Sequence, residues 1–404
     1  MKKRISAGLV AAAMVTAAGC GSSSGGSAAS ASDAAITLGA TLSLTGSLGS
    51  IGSVQEAGYQ QYVSDVNAKG GLNVGGKQRK LRLVVLDNRS DPTTASQQAS
   101  ELILKDNAVA LLGACTPPIT VPVGFVAEKN RTPDVTSCTP TEAFAAANKA
   151  GWQYTWDFFF NENDQARLAF QGAAMANTNR KVALFTDTEP DGVVERTLFK
   201  QAGAAAGFTI AGDYSFPVGT SDFSSFITDA KSKGAEVVVA QMVPPDGIAM
   251  VKQMKALGFA PKFILVEKAA DTPAWVPALG PLAEGTAHQL FWSEAKHYPG
   301  SSALEATLGK KFPDVGDLGF AVAAYSAAEI VGDAITSAGS TASAQVNAEI
   351  KATDKTYPFG PIKFGSDHTD STPLALAQWQ KGSSAQILPS VSGVTLEVPP
   401  PGLG

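Results

Sequence analysis

The residues of this sequence best placed to do chemistry are short hydroxyls and backbone amides, not strong nucleophiles. Residues 36–56, ITLGATLSLTGSLGSIGSVQE, carry a short apolar run, then a loop in which Gly46, Gly49 and Gly52 alternate with Thr45, Ser47 and Ser50. The run is rich enough in β-branched residues to be a buried strand. After the loop, Val54, Ala57, Tyr62, Val63 and Val66 give a helical stripe that Gly70-Gly71 stops. A strand, a glycine-rich turn and a helix N-terminus together present amides without intrahelical partners, so this stretch can hold an anionic or carbonyl group. The spacing fits neither the dinucleotide fingerprint nor a phosphate loop. A plain βα turn with no ligand therefore remains the alternative.

Enzymatic chemistry finds little support. Outside the Gly/Ser-rich stretch after Cys20 there is no G-x-S-x-G, and there is no H-E-x-x-H and no cluster of metal-ligating residues. The histidines, His288, His297 and His368, are scattered, with no two at helical ligand spacing. No catalytic residue, metal or cofactor is expected. Outside the leader, the cysteines are Cys115 and Cys138, each following or ending an apolar run. If those runs are neighbouring parallel strands, both thiols sit at one C-terminal edge, within bonding range. A disulfide is expected outside the cytoplasm; two buried free thiols are the alternative.

The elements that must position these groups alternate. Strands are predicted at 80–87, 109–114 and 133–136, with helices at 92–105 and 119–129 between and before them. Asp91 caps the first of these helices, and Pro92 opens it. The rhythm breaks at residues 151–163, GWQYTWDFFFNEN, and resumes with strands at 182–186, 208–216, 236–240 and 262–266. Helices are expected at 192–203, 223–233 and 246–257 in that second series, and at 302–311 and 318–337 beyond an extended run at 286–292. A hairpin is expected around Lys381-Gly382, and Pro399-Pro400-Pro401 is expected to be disordered. Alternating β and α with short connections implies doubly wound parallel sheets with helices on both faces. The chain of 404 residues is long enough for two domains.

The start of the chain reads as a secretion signal, with Lys2-Lys3-Arg4 followed by a short apolar segment too brief to span a bilayer. It ends Ala17-Ala18-Gly19-Cys20, which resembles the lipobox of bacterial lipoproteins, although Ala17 stands where leucine is usual. Cys20 is the expected lipidation site; an ordinary signal peptide cut nearby is the alternative. Residues 21–34, rich in Gly, Ser and Ala, would form a flexible tether. The formal charge of −5 and the lack of Lys/Arg runs beyond the leader argue against nucleic acid as a partner.

Four motifs resemble those of type I periplasmic solute-binding proteins, in the branch serving branched-chain amino acid ABC importers. They are Leu44-Thr45-Gly46 with Gly52 and Gly58, Leu112-Gly113-Ala114-Cys115-Thr116, Thr136-Ser137-Cys138-Thr139-Pro140, and Lys255-Ala256-Leu257-Gly258-Phe259 before a strand. The likeness covers about residues 36–388. It implies two doubly wound parallel-sheet lobes joined by a three-crossing hinge, with a solute held between them. Lobe one would be 35–155 plus 289–356, lobe two 156–288 plus 357–398, and 399–404 a tail, with crossings at the aromatic joint and at Tyr357 to Pro361.

The resemblance implies that Thr116 and Thr139, with loop amides around Cys115 and Cys138, grip a solute carboxylate by charge-assisted hydrogen bonds. It places Glu267 where the family receives an α-ammonium; a solvated loop glutamate beside Lys268 is the alternative. Departures from the pattern are Ile51 in place of a tyrosine, Asp191-Gly192 in place of Tyr-Gly, and a loop from Gln241 to Val243 without the family's tyrosine. These put leucine or valine in doubt as the solute and suggest a differently shaped cleft, for a larger or aromatic solute. Ser47 in the first loop and Phe320 complete the expected ligand set, with Trp152, Trp156, Phe158, Phe159 and Phe160 as flat walls or as packing. The expectation is a monomeric, lipid-anchored, extracytoplasmic receptor that delivers a small molecule to an ABC permease. A sensor domain reporting to a signalling partner is the alternative.

Overall fold

The structure, a computed structural model, describes residues 34–292 and 298–404. The expected signal peptide, the tether up to residue 33, Cys20 and His297 lie outside the described residues.

The first βα series opens with β1 (Ile36–Leu42) and α1 (Gly49–Ala68), followed by a small hairpin of β2 (Leu72–Val74) and β3 (Lys77–Arg79). It continues through β4 (Leu81–Asp87), α2 (Pro92–Leu104), β5 (Ala110–Leu112) and α3 (Pro117–Asn130). It closes with β6 (Asp134–Thr136), α4 (Thr141–Ala147) and β7 (Thr155–Phe159). The cap expected at Asp91 is present, its side chain accepting from the Thr94 amide at 2.6 Å.

The second series runs α5 (Glu162–Met175), β8 (Lys181–Asp187), α6 (Pro190–Ala205), β9 (Thr209–Phe216) and α7 (Ser224–Ser232). It goes on through β10 (Val237–Gln241), α8 (Pro244–Ala256), β11 (Phe263–Glu267), α9 (Trp275–Leu279) and β12 (Ala287–Leu290). The chain then adds α10 (Ser301–Lys311), α11 (Gly319–Ala338) and α12 (Ser343–Lys351). Short strands β13 (Asp354–Thr356), β14 (Pro361–Lys363) and β15 (Thr369–Ser371) precede the hairpin of β16 (Ala375–Gln380) and β17 (Ser383–Leu388).

Two sheets organise these elements. One has the order β15-β7-β6-β5-β1-β4 and is parallel throughout; the other has the order β17-β16-β12-β11-β10-β8-β9, antiparallel only at β12, β16 and β17. Both are α/β lobes of the doubly wound kind, and their central strands, such as β1, β10 and β11, are buried on both faces, as parallel strands between helices must be. Helices α1 and α11 pack so closely that a Cβ at Gly58 would collide with the Ala321 carbonyl oxygen. The chain passes between sheets three times, after β7, after β12 and between β15 and β16.

Strand membership differs from the expected boundaries at several points. Strand β7 straddles residue 155 and belongs wholly to the first sheet, β12 belongs to the second, and β15 pairs in parallel with β7. Residues 357–371 therefore accompany the first lobe. Tyr357 to Pro361 is not a crossing but the turn joining antiparallel β13 and β14, closed by Tyr357 and Gly360 exchanging both backbone hydrogen bonds. The final crossing is at residues 372–374, where Thr372 ties back to the Phe159 carbonyl through its amide and its hydroxyl.

The prolines at 399–401 are also ordered, contrary to expectation. Gly402 N–H donates to the Glu284 carbonyl, Leu403 is buried, and Lys255 Nζ donates to the Gly404 carbonyl. The tail docks because it supplies an apolar side chain to the second core and finds backbone partners there.

Candidate functional site

In both sheets the parallel strands end at a shared cleft, the position where open α/β sheets bind ligands. Between them lies a cavity of about 40 Å³ lined from both lobes. The first lobe contributes Ile51 from α1, Cys115, Thr116 and Pro117 from the β5–α3 junction, and Cys138 and Pro140 from the β6–α4 loop. Phe159 and Phe160 at the end of β7 and Phe320 in the first turn of α11 complete that side. The second lobe contributes Gln165 from α5, Asp191 and Glu195 from α6, Gln241 ending β10, Lys268 following β11, Gln289 in β12 and Phe291 beyond it.

Cys115 and Cys138 are joined in a disulfide, their Cα atoms 4.7 Å apart, at adjacent parallel strand ends. Gly113 lies just upstream, where any Cβ would run into Thr136 on the next strand. Bringing β5 and β6 this close is what sets the two cysteines face to face.

The expected ligand residues divide. Ile51, Cys115, Thr116, Cys138, Asp191, Gln241 and Phe320 are on the wall. Ser47, Thr139, Val243 and Glu267 are not among its lining residues. Ser47 is half-buried in the first turn. Thr139 is fully buried and donates its hydroxyl to Thr120 Oγ1 at 2.9 Å, so its oxygen is committed behind the wall. Val243 is fully buried and clusters with the hydrophobic core of the first lobe. Glu267 receives Gln165 Nε2 at 2.6 Å and Gln289 Nε2 at 2.7 Å, one on each carboxylate oxygen, so no solute ammonium is needed to satisfy it. Burial, with Asp271 adding to it, pushes its carboxyl well above the usual range. Glu267 backs the cleft, and the two amides stand in front of it.

Lys268, given no role in the sequence reading, is a wall residue with only 10% of its side chain exposed. Its ammonium lies 2.7 Å from Glu189 Oε2, 2.9 Å from Asp191 Oδ2 and 3.9 Å from Asp187 Oδ2. Burial works against that charge, but the surrounding Asp191, Asp187 and Glu189 outweigh it and hold the pKa well above its usual value. The same three carboxylates approach one another closely enough to suggest a cation site, and Lys268 is the cation that fills it. Burial raises Asp187 to about 7 even so, with Lys268 opposing and Asp191 and Glu189 assisting.

Glu195 was missed by sequence reasoning, although its spacing offered a signal: it stands one turn beyond Asp191 on α6 and so shares its face. It is 2% exposed, and burial followed by the charges of Glu267, Asp191 and Glu162 drives its pKa well up, against Lys268. Among the aromatic candidates only Phe159 and Phe160 reach the cavity. Trp152 stacks on Phe144 at 4.8 Å, Trp156 stacks on His368 at 3.6 Å, and Phe158 packs against Phe359 at 5.8 Å. Phe291, Phe320, Phe159 and Phe160 instead form a cluster of their own, with ring centroids from 4.6 to 6.1 Å apart.

Two α/β lobes meeting at the C-terminal ends of their strands, around a cavity walled from both, define a bilobal solute-binding protein. The chain belongs to the periplasmic binding protein family, whose profile it matches over residues 35–384. It binds a solute and is not an enzyme. Among curated relatives, the Leu/Ile/Val-binding protein BraC3 of Rhizobium johnstonii is 26% identical over 80% of this chain and 86% of its own length. Among solved structures, the branched-chain amino acid substrate-binding protein LivJ of Streptococcus pneumoniae, in complex with isoleucine, superposes with a TM-score of 0.76. That match is 19% identical and covers 90% of this chain and all of the other. An ABC-transporter solute-binding protein of R. palustris, in complex with benzoate, superposes at 0.75, with 18% identity and 91% and 97% coverage. No helix among the described residues is long and apolar enough to cross a membrane.

Proposed function

We propose that the protein is an extracytoplasmic receptor that traps a small organic solute by lobe closure and hands it to an ABC import permease. The observation that carries this reading is the cavity at the strand ends of both sheets, whose walls come from both lobes. A solute bridging those walls stabilises the closed arrangement over the open one by its contacts to the second wall, which is the differential affinity that lobe closure requires. Relatives named for leucine, isoleucine and valine, and fold neighbours holding isoleucine or benzoate, support a small solute with an apolar body. The Phe cluster supports the same. Cys20, as a lipid-bearing residue, would tether the receptor near its permease.

Thermal denaturation across a panel of amino acids, amines, amides and aromatic acids tests the reading. A solute at about a hundredfold its dissociation constant is expected to add roughly 2.7 kcal/mol of stability. Mass spectrometry of small molecules released on gentle denaturation provides an independent readout. A protein that carries no guest from its host and is stabilised by no compound would refute the proposal. For the anchor, the N-terminal peptide of the mature protein is expected to show a diacylglyceryl mass on Cys20; an unmodified peptide starting elsewhere refutes it.

A further inference from the structure

Hydrogen-bond accounting in the cleft gives it a polarity. On the second-lobe wall, four buried oxygens have no hydrogen-bond partner: Asp191 Oδ1, Glu195 Oε2, Gln165 Oε1 and Gln241 Oε1. Their side chains are each 3% exposed or less. The neighbouring amide donors are engaged, Gln241 Nε2 with Asp191 Oδ2 at 2.9 Å, and Gln165 and Gln289 Nε2 with Glu267. The one cationic side chain among the residues lining the cavity, Lys268, is held by three carboxylates. This wall presents unpartnered acceptors.

On the first-lobe wall, the start of α3 does not compensate with an anion grip. Helix α3 begins with Pro117 and Pro118, which have no N–H to give. The next two amides, of Ile119 and Thr120, both return to the Thr116 carbonyl, and the Thr116 amide donates to the Cys138 carbonyl. Pro140 likewise brings no N–H to the facing loop, and the Thr139 hydroxyl is turned to Thr120. The Thr116 hydroxyl on this side is buried and without a partner. No amide from Thr116 to Thr120, where a helix N-terminus would ordinarily attract a carboxylate, is free to bind one.

We propose that the cleft selects an amine, a solute with a primary ammonium and a compact apolar body, and discriminates against solutes that carry a carboxylate. The ammonium supplies three donors to the acceptor cluster of Asp191, Glu195, Gln165 and Gln241. The body lies against Ile51 and the Phe cluster. This inference rests on the solute-binding reading and narrows it.

Proton balance follows from the same geometry. In the guest-free cleft, burial and the charges of Glu267, Asp191 and Glu162 push the Glu195 carboxyl well up, with Lys268 opposing. An arriving ammonium compensates the ionised form, so Glu195 gives up its proton to solvent as the ion pair forms. Affinity therefore rises with pH until the amine itself loses its proton.

Isothermal titration of the mature chain, stripped of guest by unfolding and refolding, tests this with isopentylamine, benzylamine, leucine, phenylalanine and benzoate. The amines are expected to bind at least about tenfold more tightly than leucine or phenylalanine, with Glu195→Gln costing the amines about tenfold or more. Proton release is expected when the titration is repeated in buffers of different ionisation enthalpy. Leucine or benzoate binding while the amines do not overturns the inference and leaves the solute-binding reading intact. Equal amine affinity in wild type and Glu195→Gln also overturns it. Silence from all five compounds overturns it as well, and whether a guest co-purifies then decides the broader reading.

Discussion

Asp134 shows at the scale of one residue how this fold spends stability on buried acids. It lies fully buried on β6, neither carboxyl oxygen has a hydrogen-bond partner, and burial, with Glu128 adding to it, raises its pKa to about 7. Its native value lies above its unfolded one, so its contribution is fully present below about pH 4 and is lost as pH rises toward 7. Asp134→Asn is therefore expected to raise the melting temperature over wild type by more at pH 8 than at pH 4.5. An advantage that does not grow with pH would contradict the assignment. The sequence displayed Asp134 as an ordinary strand residue, and only its neighbours reveal the cost. The same holds for Glu267 and Lys268, adjacent in the chain. The sequence reading matched Glu267 to a solute ammonium and gave Lys268 no role. The structure gives Glu267 two amides and Lys268 three carboxylates.

At the scale of elements, close approaches do the positioning. Gly58 lets α1 lie against α11, and Gly58→Val is expected to destabilise the protein by about 1–3 kcal/mol in urea unfolding through forced separation of the helices. Replacing both Cys115 and Cys138 by Ala removes a link across 23 residues and is expected to lower stability by about 2–4 kcal/mol. Gly192, in the first turn of α6, allows the helix to approach Asp187 and Gln241, so a Cβ there would displace both. Gly192→Ala should weaken solute binding more than it lowers the melting temperature, measured by titration and thermal denaturation together. The βα alternation was legible because parallel strands between helices are continuous apolar runs. The hairpin of β2 and β3, helix α12 and strand β15 were not. They are short, largely exposed segments held by neighbours distant in sequence, as β15 is by β7.

At the scale of the whole molecule, a cavity of about 40 Å³ has room for a few waters and not for a leucine-sized body, so a solute of that size enters only when the lobes part. Small-angle scattering is expected to show a larger radius of gyration in the stripped protein than in the saturated one. Equal radii would remove lobe closure from the mechanism.

What the sequence determined by itself is the order of strands and helices and the pairing range of two cysteines; the cleft between two lobes was implied only by the resemblance. The first two follow from periodicity and turn chemistry, which are local. What only the tertiary structure decided is the cleft's polarity. An acceptor counts as unpartnered only after every donor around it has been assigned, and the donors near Asp191 and Glu195 come from α5, β10, β12 and the end of β11, brought together by the folding of the second sheet.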